Sequence, residues 1–150
     1  MNDGWKIFLD GSDVTQILHT PQISDITSKV SAIQEVRGIM KGIQRELANE
    51  GGMVMGGRDI GSEIFPESKN KFFLTASTEI RAKRRFEQLK IKNPNITFEE
   101  ILSSTIERDK RDSEREASPM RIPKDALVID NSDLTVEQTV EEMLNHIHNA

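Results

Sequence analysis

Apolar positions recur along the chain at two spacings, and the alternation between them outlines its elements. Trp5 to Leu9 (WKIFL) alternates as an edge strand does, and Asp10-Gly11-Ser12-Asp13 supplies turn chemistry behind it. From Pro21 the spacing becomes helical, with Ile23, Ile26, Val30 and Ile33 at steps of three and four and Ser28 and Lys29 toward the flank. Val36, Met40, Ile43 and Leu47 predict a second helix that stops at Gly51-Gly52. Gly38 and Gly42 weaken that helix by about 1 kcal/mol each relative to alanine, which predicts close packing or a bend there. Met53-Val54-Met55 is long enough for a short buried strand, and Lys71 to Ala76 (KFFLTA) reads as a second. Ser77-Thr78 then caps a helix with an apolar stripe of Ala82, Phe86 and Leu89. Asn93-Pro94-Asn95 breaks the chain, and Thr97 to Glu100 forms a capping box ahead of Phe98, Ile101, Leu102, Thr105 and Ile106. Ala126 to Asp130 (ALVID) is a third buried strand, and Thr135 with Gln138 caps a last helix that carries Val140, Met143, Leu144 and Ile147 inward. Strands alternating with helices predict an α/β fold with a mainly parallel sheet.

Composition narrows this picture. The 150 residues allow one domain with a real core, and 35% hydrophobic against 30% charged residues predicts a small core beside a heavily charged surface or cleft. A net charge of -5 exerts no overall pull toward nucleic acid or an anionic membrane, so phosphate binding must come from local basic clusters. Zero cysteines exclude a disulfide framework, a thiolate metal site and a cysteine nucleophile. No metal site is readable from the three histidines, His19, His146 and His148. No apolar run reaches membrane-spanning length and no basic-then-apolar signal opens the chain, so a soluble protein of the reducing cytoplasm, with no membrane partner, is expected.

Three stretches carry candidate chemistry. In Gly56-Gly57-Arg58-Asp59-Ile60-Gly61 a strand delivers charge to its carboxyl end, where open α/β sheets bind ligands. The glycines let backbone approach a ligand or adopt φ > 0, and Arg58 offers a planar fork for phosphate or carboxylate. The alternative is a surface turn with a solvated Arg-Asp contact. Arg81, Lys83, Arg84 and Arg85 crowd the first turns of a helix, opposing its dipole unless something anionic relieves them; a solvated basic face offset by Glu79 and Glu87 reads equally well. Arg108, Asp112 and Arg115 fall within an arc of about 60° that overlaps the position of Ile101. That helix face therefore changes from apolar to charged without turning away, either entering a polar cleft or ending in ordinary i, i+4 pairs.

Taken together, Gly57-Arg58-Asp59-Ile60-Gly61 with Phe65-Pro66, the RAKRR segment, and RDKRDSEREASP from Arg108 to Pro119 resemble the bacterial cytidylate kinases, P-loop nucleoside monophosphate kinases that move the γ-phosphoryl of ATP onto CMP or dCMP. Several separate motifs match in order, and the resemblance spans nearly the whole chain. It implies a transferase, an ATP- and nucleotide-binding kinase of pyrimidine nucleotide metabolism in the cytoplasm, with ATP and Mg²⁺ serving the complete enzyme. It further implies small-molecule substrates, no nucleic-acid partner and a monomer. Within 1–150, residues up to about 50 would be the NMP-binding segment, and 51–150 the C-terminal part of the kinase core with the lid region. By position, Ser28, Arg37 and Asp59 match the residues that hydrogen-bond cytosine, Arg58 and Arg115 the arginines that grip the acceptor phosphate, and Arg108 and Asp112 the pair addressing the sugar hydroxyls. Arg81, Arg84 and Arg85 fall where the lid arginines stabilise the transferring phosphoryl group. Phosphoryl transfer needs positioning and charge stabilisation more than covalent help, which suits such an arginine set.

The pattern departs from the family in three places. No G-x-x-x-x-G-K-[ST] occurs in the 150 residues, so no P-loop cradle for ATP phosphates and no P-loop Ser/Thr for Mg²⁺ is expected, and no cofactor or metal site is assured for this chain. A DSGAMYR-like segment, which supplies another acceptor-phosphate arginine, is also absent, and Gly56 stands where the family usually reads Asp. The resemblance thus implies a partial kinase domain without the N-terminal central strand and P-loop. That strand would sit between the one ending at Met55 and the one at Phe72 to Thr75, and its absence would leave backbone groups unpaired at about 1 to 3 kcal/mol each, in a weakly stable chain. Three functions follow, in order: a (d)CMP kinase complete only with that portion; a non-catalytic CMP-binding fragment; and an interaction protein using the basic RAKRR helix. Against the third stand the net charge and an aromatic content of 5% with no tyrosine.

Overall fold

The computed structural model describes residues 6–18, 20–49, 51–91 and 93–149. Its first element is a hairpin in which β1 (Phe8–Leu9) pairs antiparallel with β2 (Ser12–Asp13), Phe8 opposite Asp13 and Leu9 opposite Ser12. Asp10 and Gly11 join the strands with φ of 49° and 79°, and a two-residue turn of this hand matches the twist of the strands it connects. Pairing thus extends through Ser12 and Asp13, which the sequence pattern assigns to the turn. Trp5, expected to begin the strand, lies outside the described residues, as does His19.

Thr20 caps α1 (Pro21–Val30): its Oγ1 accepts a hydrogen bond from the Ile23 N–H, and Pro21 occupies a position where no helical N–H is lost. The helix stops before Ile33, which instead caps α2 (Gln34–Leu47). The stripe expected to face inward on α2 finds little cover: Met40 and Ile43 are each 45% exposed and Leu47 62%. Nor do Gly38 and Gly42 mark close packing, since a Cβ at either would meet nothing within 4 Å. What ties α2 down is polar. Arg45 donates from Nε to the Ile64 carbonyl at 2.9 Å and from Nη2 to the Glu63 carbonyl at 3.3 Å.

Beyond Gly51, which adopts φ 73° just past the helix, the expected strand at Met53 to Met55 does not form, and Val54 is 96% exposed. An extended segment becomes a strand only when its backbone groups are paired, and among the described residues no strand lies beside it. A single π-helical turn at Ile60–Ile64 follows, closed by Phe65 N–H donating to the Ile60 carbonyl at 2.8 Å. Sequence periodicity predicts no such turn. Gly61 is required there, because a Cβ would sit 2.9 Å from the Pro123 ring.

The second half forms the predicted elements, but not every face expected inward is covered. In the last helix Val140 and Leu144 are each 47% exposed and Ile147 40%, and in the helix before it Ile106 is 52% exposed, because the short sheet offers little surface for them to pack against. β3 (Phe72–Thr75) and β4 (Leu127–Asp130) pair in parallel, Phe72 opposite Leu127 and Thr75 opposite Asp130. Parallel strands need a long crossover, and α3 (Thr78–Lys90) and α4 (Phe98–Glu114) provide it. Both helices start where the caps predict: Ser77 Oγ accepts from the Ile80 N–H, and Thr97 and Glu100 form a reciprocal box. Ala82, Leu89 and Ile101 make the buried cluster between them, flanked by Phe86, Ile96, Phe98 and Leu102, with the Phe86 and Phe98 rings edge to face at 6.1 Å. Ile129 is buried in β4, and α5 (Val136–Asn149), capped by Thr135 and Gln138 as predicted, brings His146 edge-on to Phe72 at 5.6 Å. The architecture is α/β, a short parallel sheet with flanking helices, and its buried core lies largely between α3 and α4.

Candidate functional site

The face of α4 that carries Ile101 into the core carries Asp112 one helical stretch further on, and Asp112 is 2% exposed. A buried carboxylate is costly unless charge and hydrogen bonds surround it. Four groups do so. Ser28 of α1, itself buried, donates from Oγ to Asp112 Oδ1 at 3.2 Å. Arg115, at the end of α4, places Nη1 3.6 Å from Oδ1. Arg58 Nε lies 2.9 Å from Oδ2 and Arg108 Nε 3.6 Å from the same oxygen. Residues 84 positions apart thereby meet on one carboxylate.

A second carboxylate extends the cluster. Asp59, buried at the start of the π-helical turn, pairs through Oδ2 with Arg37 Nη2 and lies with Oδ1 3.9 Å from Arg115 Nη2. Arg37 also donates to the Ser31 carbonyl at 3.2 Å, and Arg115 to the Ser31 hydroxyl at 3.3 Å and the Ser118 carbonyl at 2.8 Å. Ser118 holds φ 51°, in the left-handed region, where its carbonyl receives Arg115. Burial, then the neighbouring Arg115 charge, lowers the pKa of the Arg37 guanidinium; burial, then Arg58, lowers that of Arg108. Arg37 Nε, Arg108 Nε and Asp112 Oδ2 are buried without a hydrogen-bond partner among the described residues, although opposite charges lie close by. Buried groups left this way cost about 1 to 3 kcal/mol each, more when charged, and such a concentration marks a place built for something besides stability.

The site residues predicted from sequence fall into two sets. Ser28, Arg37, Asp59, Asp112 and Arg115 form the closed inner set, where Arg37 and Asp59 hold each other. Arg58, Arg81, Arg85 and Arg108 line an open cavity of about 220 Å³ between α1, α3 and α4. Arg85 reaches Ser24 of α1 at 3.5 Å, and Arg81 donates to Thr78 Oγ1 at 3.1 Å and to the Ala76 carbonyl. Arg84 is not brought to this cavity. It points to the end of β4, donating to the Asn131 side chain and carbonyl at 2.9 and 2.7 Å. A second cavity, of about 420 Å³, opens beside Arg37 and is lined by Gln34, Lys41, Ile64, Glu116 and Ser118.

Sequence reasoning missed three residues. Asp109 accepts from Arg58 Nη1 at 3.1 Å and from Arg81 Nη2 at 2.6 Å. Ser31 receives two of the arginines, and Met120 places its sulfur 3.4 Å from Arg58 Nη1. The spacing of Asp109 to Asp112, i to i+3 on one helix, is the signal that could have found the first. Among the described residues no three His, Asp or Glu side chains gather to hold a metal ion, and the sequence contains no G-x-x-x-x-G-K-[ST]. No described helix is long and apolar enough to cross a membrane.

Comparison with known proteins places this geometry. The sequence model of the family described as cytidylate kinase matches residues 1–149. Among similar proteins, the cytidylate kinase of Caldanaerobacter subterraneus subsp. tengcongensis is 47% identical over 145 residues, covering 97% of this chain and 65% of the relative. That of Carboxydothermus hydrogenoformans is 41% identical, covering 97% and 66%, and that of Thermodesulfovibrio yellowstonii 43% identical, covering 95% and 64%. The chain thus spans just under two thirds of the length of these relatives. With the family model matching nearly the whole chain, it belongs to the cytidylate kinase family.

Proposed function

We propose that this chain carries the acceptor-nucleotide side of a (d)CMP kinase, an enzyme that transfers the γ-phosphoryl of ATP to CMP or dCMP. The observation that carries this reading is the convergence of Ser28, Arg58, Arg108 and Arg115 on buried Asp112 beside a cavity lined by arginines. Arg58 and Arg115 hold the acceptor phosphate, Arg108 and Asp112 address the sugar, and Arg37, Asp59 and Ser28 read the base. Base recognition then requires Arg37 and Asp59 to exchange their mutual ion pair for contacts with cytosine, whose ring nitrogen and carbonyl accept while its amino group donates. Arg81 and Arg85 supply positive charge where the phosphoryl group passes, acting through position and field rather than covalently. Arg84, committed to Asn131, serves the lid only after leaving that contact. ATP and Mg²⁺ would supply the phosphoryl group and its charge compensation, and the G-x-x-x-x-G-K-[ST] motif that cradles them in the family does not occur in these residues.

That last point favours a second reading, a CMP-binding unit without turnover. One experiment separates the two: incubate the chain with CMP, ATP and Mg²⁺ and follow CDP by chromatography, alone and with an added polypeptide bearing a P-loop from a homologous kinase. CDP formation dependent on the added polypeptide supports the kinase reading, CMP binding with no CDP under either condition supports the binding unit, and neither binding nor turnover overturns both. An interaction role for the basic helix draws no support from the geometry, since Arg81, Arg84 and Arg85 are all engaged within the chain. Nucleoside monophosphates and ATP, not nucleic acid, are the proposed partners. A monomer and a cytoplasmic setting complete the proposal.

A further inference from the structure

Asp109 belongs to none of the roles above, yet it is the carboxylate through which the two parts of the cavity wall meet. It lies on α4 one residue after Arg108, its side chain only 23% exposed. Oδ1 takes Arg58 Nη1 at 3.1 Å, and Oδ2 takes Arg81 Nη2 at 2.6 Å. Arg58 comes from the loop before the π-helical turn and Arg81 from the first turn of α3, so Asp109 joins segments 28 and 51 positions away from it. All three residues line the same cavity. On its other edge Arg58 is held by Asp112, so two aspartates spaced i, i+3 on α4 grip its Nη1 and Nε. Two like-charged guanidiniums facing one cavity repel unless an anion lies between them, and Asp109 is that anion in the ligand-free protein.

We propose that Asp109 is a positioning residue that couples Arg58 to Arg81, so that the arginine assigned to the acceptor phosphate and the arginine of α3 engage a phosphoryl-bearing ligand as one unit. The proposal rests on the nucleotide reading of the site for its ligand, and on geometry alone for the coupling. Arg58 and Arg81 share Asp109, one on each carboxylate oxygen, so the position of each guanidinium is tied to the other through that side chain. A purely structural ion pair would alter stability but not the share of affinity contributed by a phosphate group.

The test is a double-substitution cycle in the full chain. Arg58→Lys and Arg81→Lys keep the charge but lose the fork, so they report bridging geometry rather than net charge. Calorimetric titration with CMP and with cytidine isolates the phosphate contribution as the ratio of the two affinities. With Asp109 present, the double variant should lose at least about threefold less of that ratio than the product of the two single losses. In the Asp109→Asn background the losses should multiply. Multiplicative losses with Asp109 present, or unchanged coupling in Asp109→Asn, would overturn the proposal. A ligand-free arm keeps the two ideas apart: in ¹⁵N-arginine-labelled protein, Arg81→Lys should shift the Arg58 guanidinium resonances, and should not do so in Asp109→Asn. Absence of CMP binding together with that shift defeats the nucleotide reading and leaves the coupling standing; absence of the shift defeats the coupling. If Asp109→Asn does not fold, Asp109→Glu, which keeps the charge and displaces the bridge by one methylene, takes its place with the same expectations.

Discussion

Asp112 shows how much one side chain can carry. Its carboxylate is the common counter-charge of Arg58, Arg108 and Arg115 and the acceptor for Ser28, and it is buried. Removing its charge leaves buried Arg115 short of a counter-charge, while Arg58 and Arg108, at the open cavity, lose a partner but keep access to water. Asp112→Asn should therefore cost about 3 to 5 kcal/mol in urea unfolding, far beyond a surface substitution. A loss below about 0.5 kcal/mol would show that the arginines are solvated and the cluster loose. Gly56 makes the opposite case. It stands where the family resemblance expects Asp, and a Cβ there meets nothing within 4 Å, with no positive φ recorded for it. Gly56→Asp should change thermal stability by less than about 0.5 kcal/mol, so any effect on nucleotide binding would be electrostatic. The expected use of the glycine pair, backbone approach to a ligand, is not what Gly57 shows; a Cβ there would lie 2.6 Å from Ile60 Cγ1, an internal contact.

At the scale of elements, the helices legible in the sequence are those whose signals are local. Pro21, Ser77, Thr97 with Glu100, and Thr135 with Gln138 each mark the start of a helix where the sequence pattern puts it, while the Thr20 cap ahead of Pro21 emerges only in the structure. The strands Phe72–Thr75 and Leu127–Asp130 were legible too, because each finds the other. Met53 to Met55 has the same apolar pattern and fails, since a strand depends on a neighbour that no periodicity records. The π-helical turn was invisible for the same reason, packed as it is against distant Pro123. Asp109 left only its i, i+3 spacing to Asp112 as a trace, since the arginines it bridges are distant in sequence. Two predictions belong here. Ile101→Ala, in the α3 to α4 cluster, should cost about 2 to 5 kcal/mol by the lost burial and the cavity left behind, read by chemical denaturation. The Thr97 cap holds the Glu100 pKa below its usual value through hydrogen bonds from the Thr97 backbone N–H and side chain. Since the folded pKa is the lower one, this stabilisation is complete above the unfolded pKa and is lost as pH falls through the folded one. Glu100→Gln should accordingly lower stability near neutrality and flatten its decline in acid; an unaltered acid profile would remove Glu100 from the box.

For the whole molecule, the distribution of apolar surface and of charge defines its character. Exposed Ile39, Met40, Ile43 and Leu47 on α2, and Val54 beyond it, contrast with a buried cluster confined mainly to α3 and α4. Polar contacts tie the first half to the second: Ser28 on Asp112, Asp25 on Arg111 at 3.0 Å, and Ser31 on Arg115 at 3.3 Å. Those contacts border the proposed site, so a ligand that engages it would also brace the two halves, and the unfolding temperature should keep rising with ligand concentration above the Kd. A net charge of -5 coexists with an arginine-lined cavity, which makes anion binding local and sensitive to salt. Composition announced that combination, but only the fold shows that Arg58, Arg81, Arg85 and Arg108 share one wall while Arg84 turns to Asn131.

The central claim, that this cleft receives the phosphate of a cytidine nucleotide, is tested most directly by titrating CMP and cytidine into the chain by calorimetry under identical low-salt conditions. CMP should bind at least about tenfold more tightly than cytidine, as expected for charge-assisted hydrogen bonds from Arg58 and Arg115, and the difference should shrink as salt is raised. Equal affinity for the two, or no binding of either, would contradict the account.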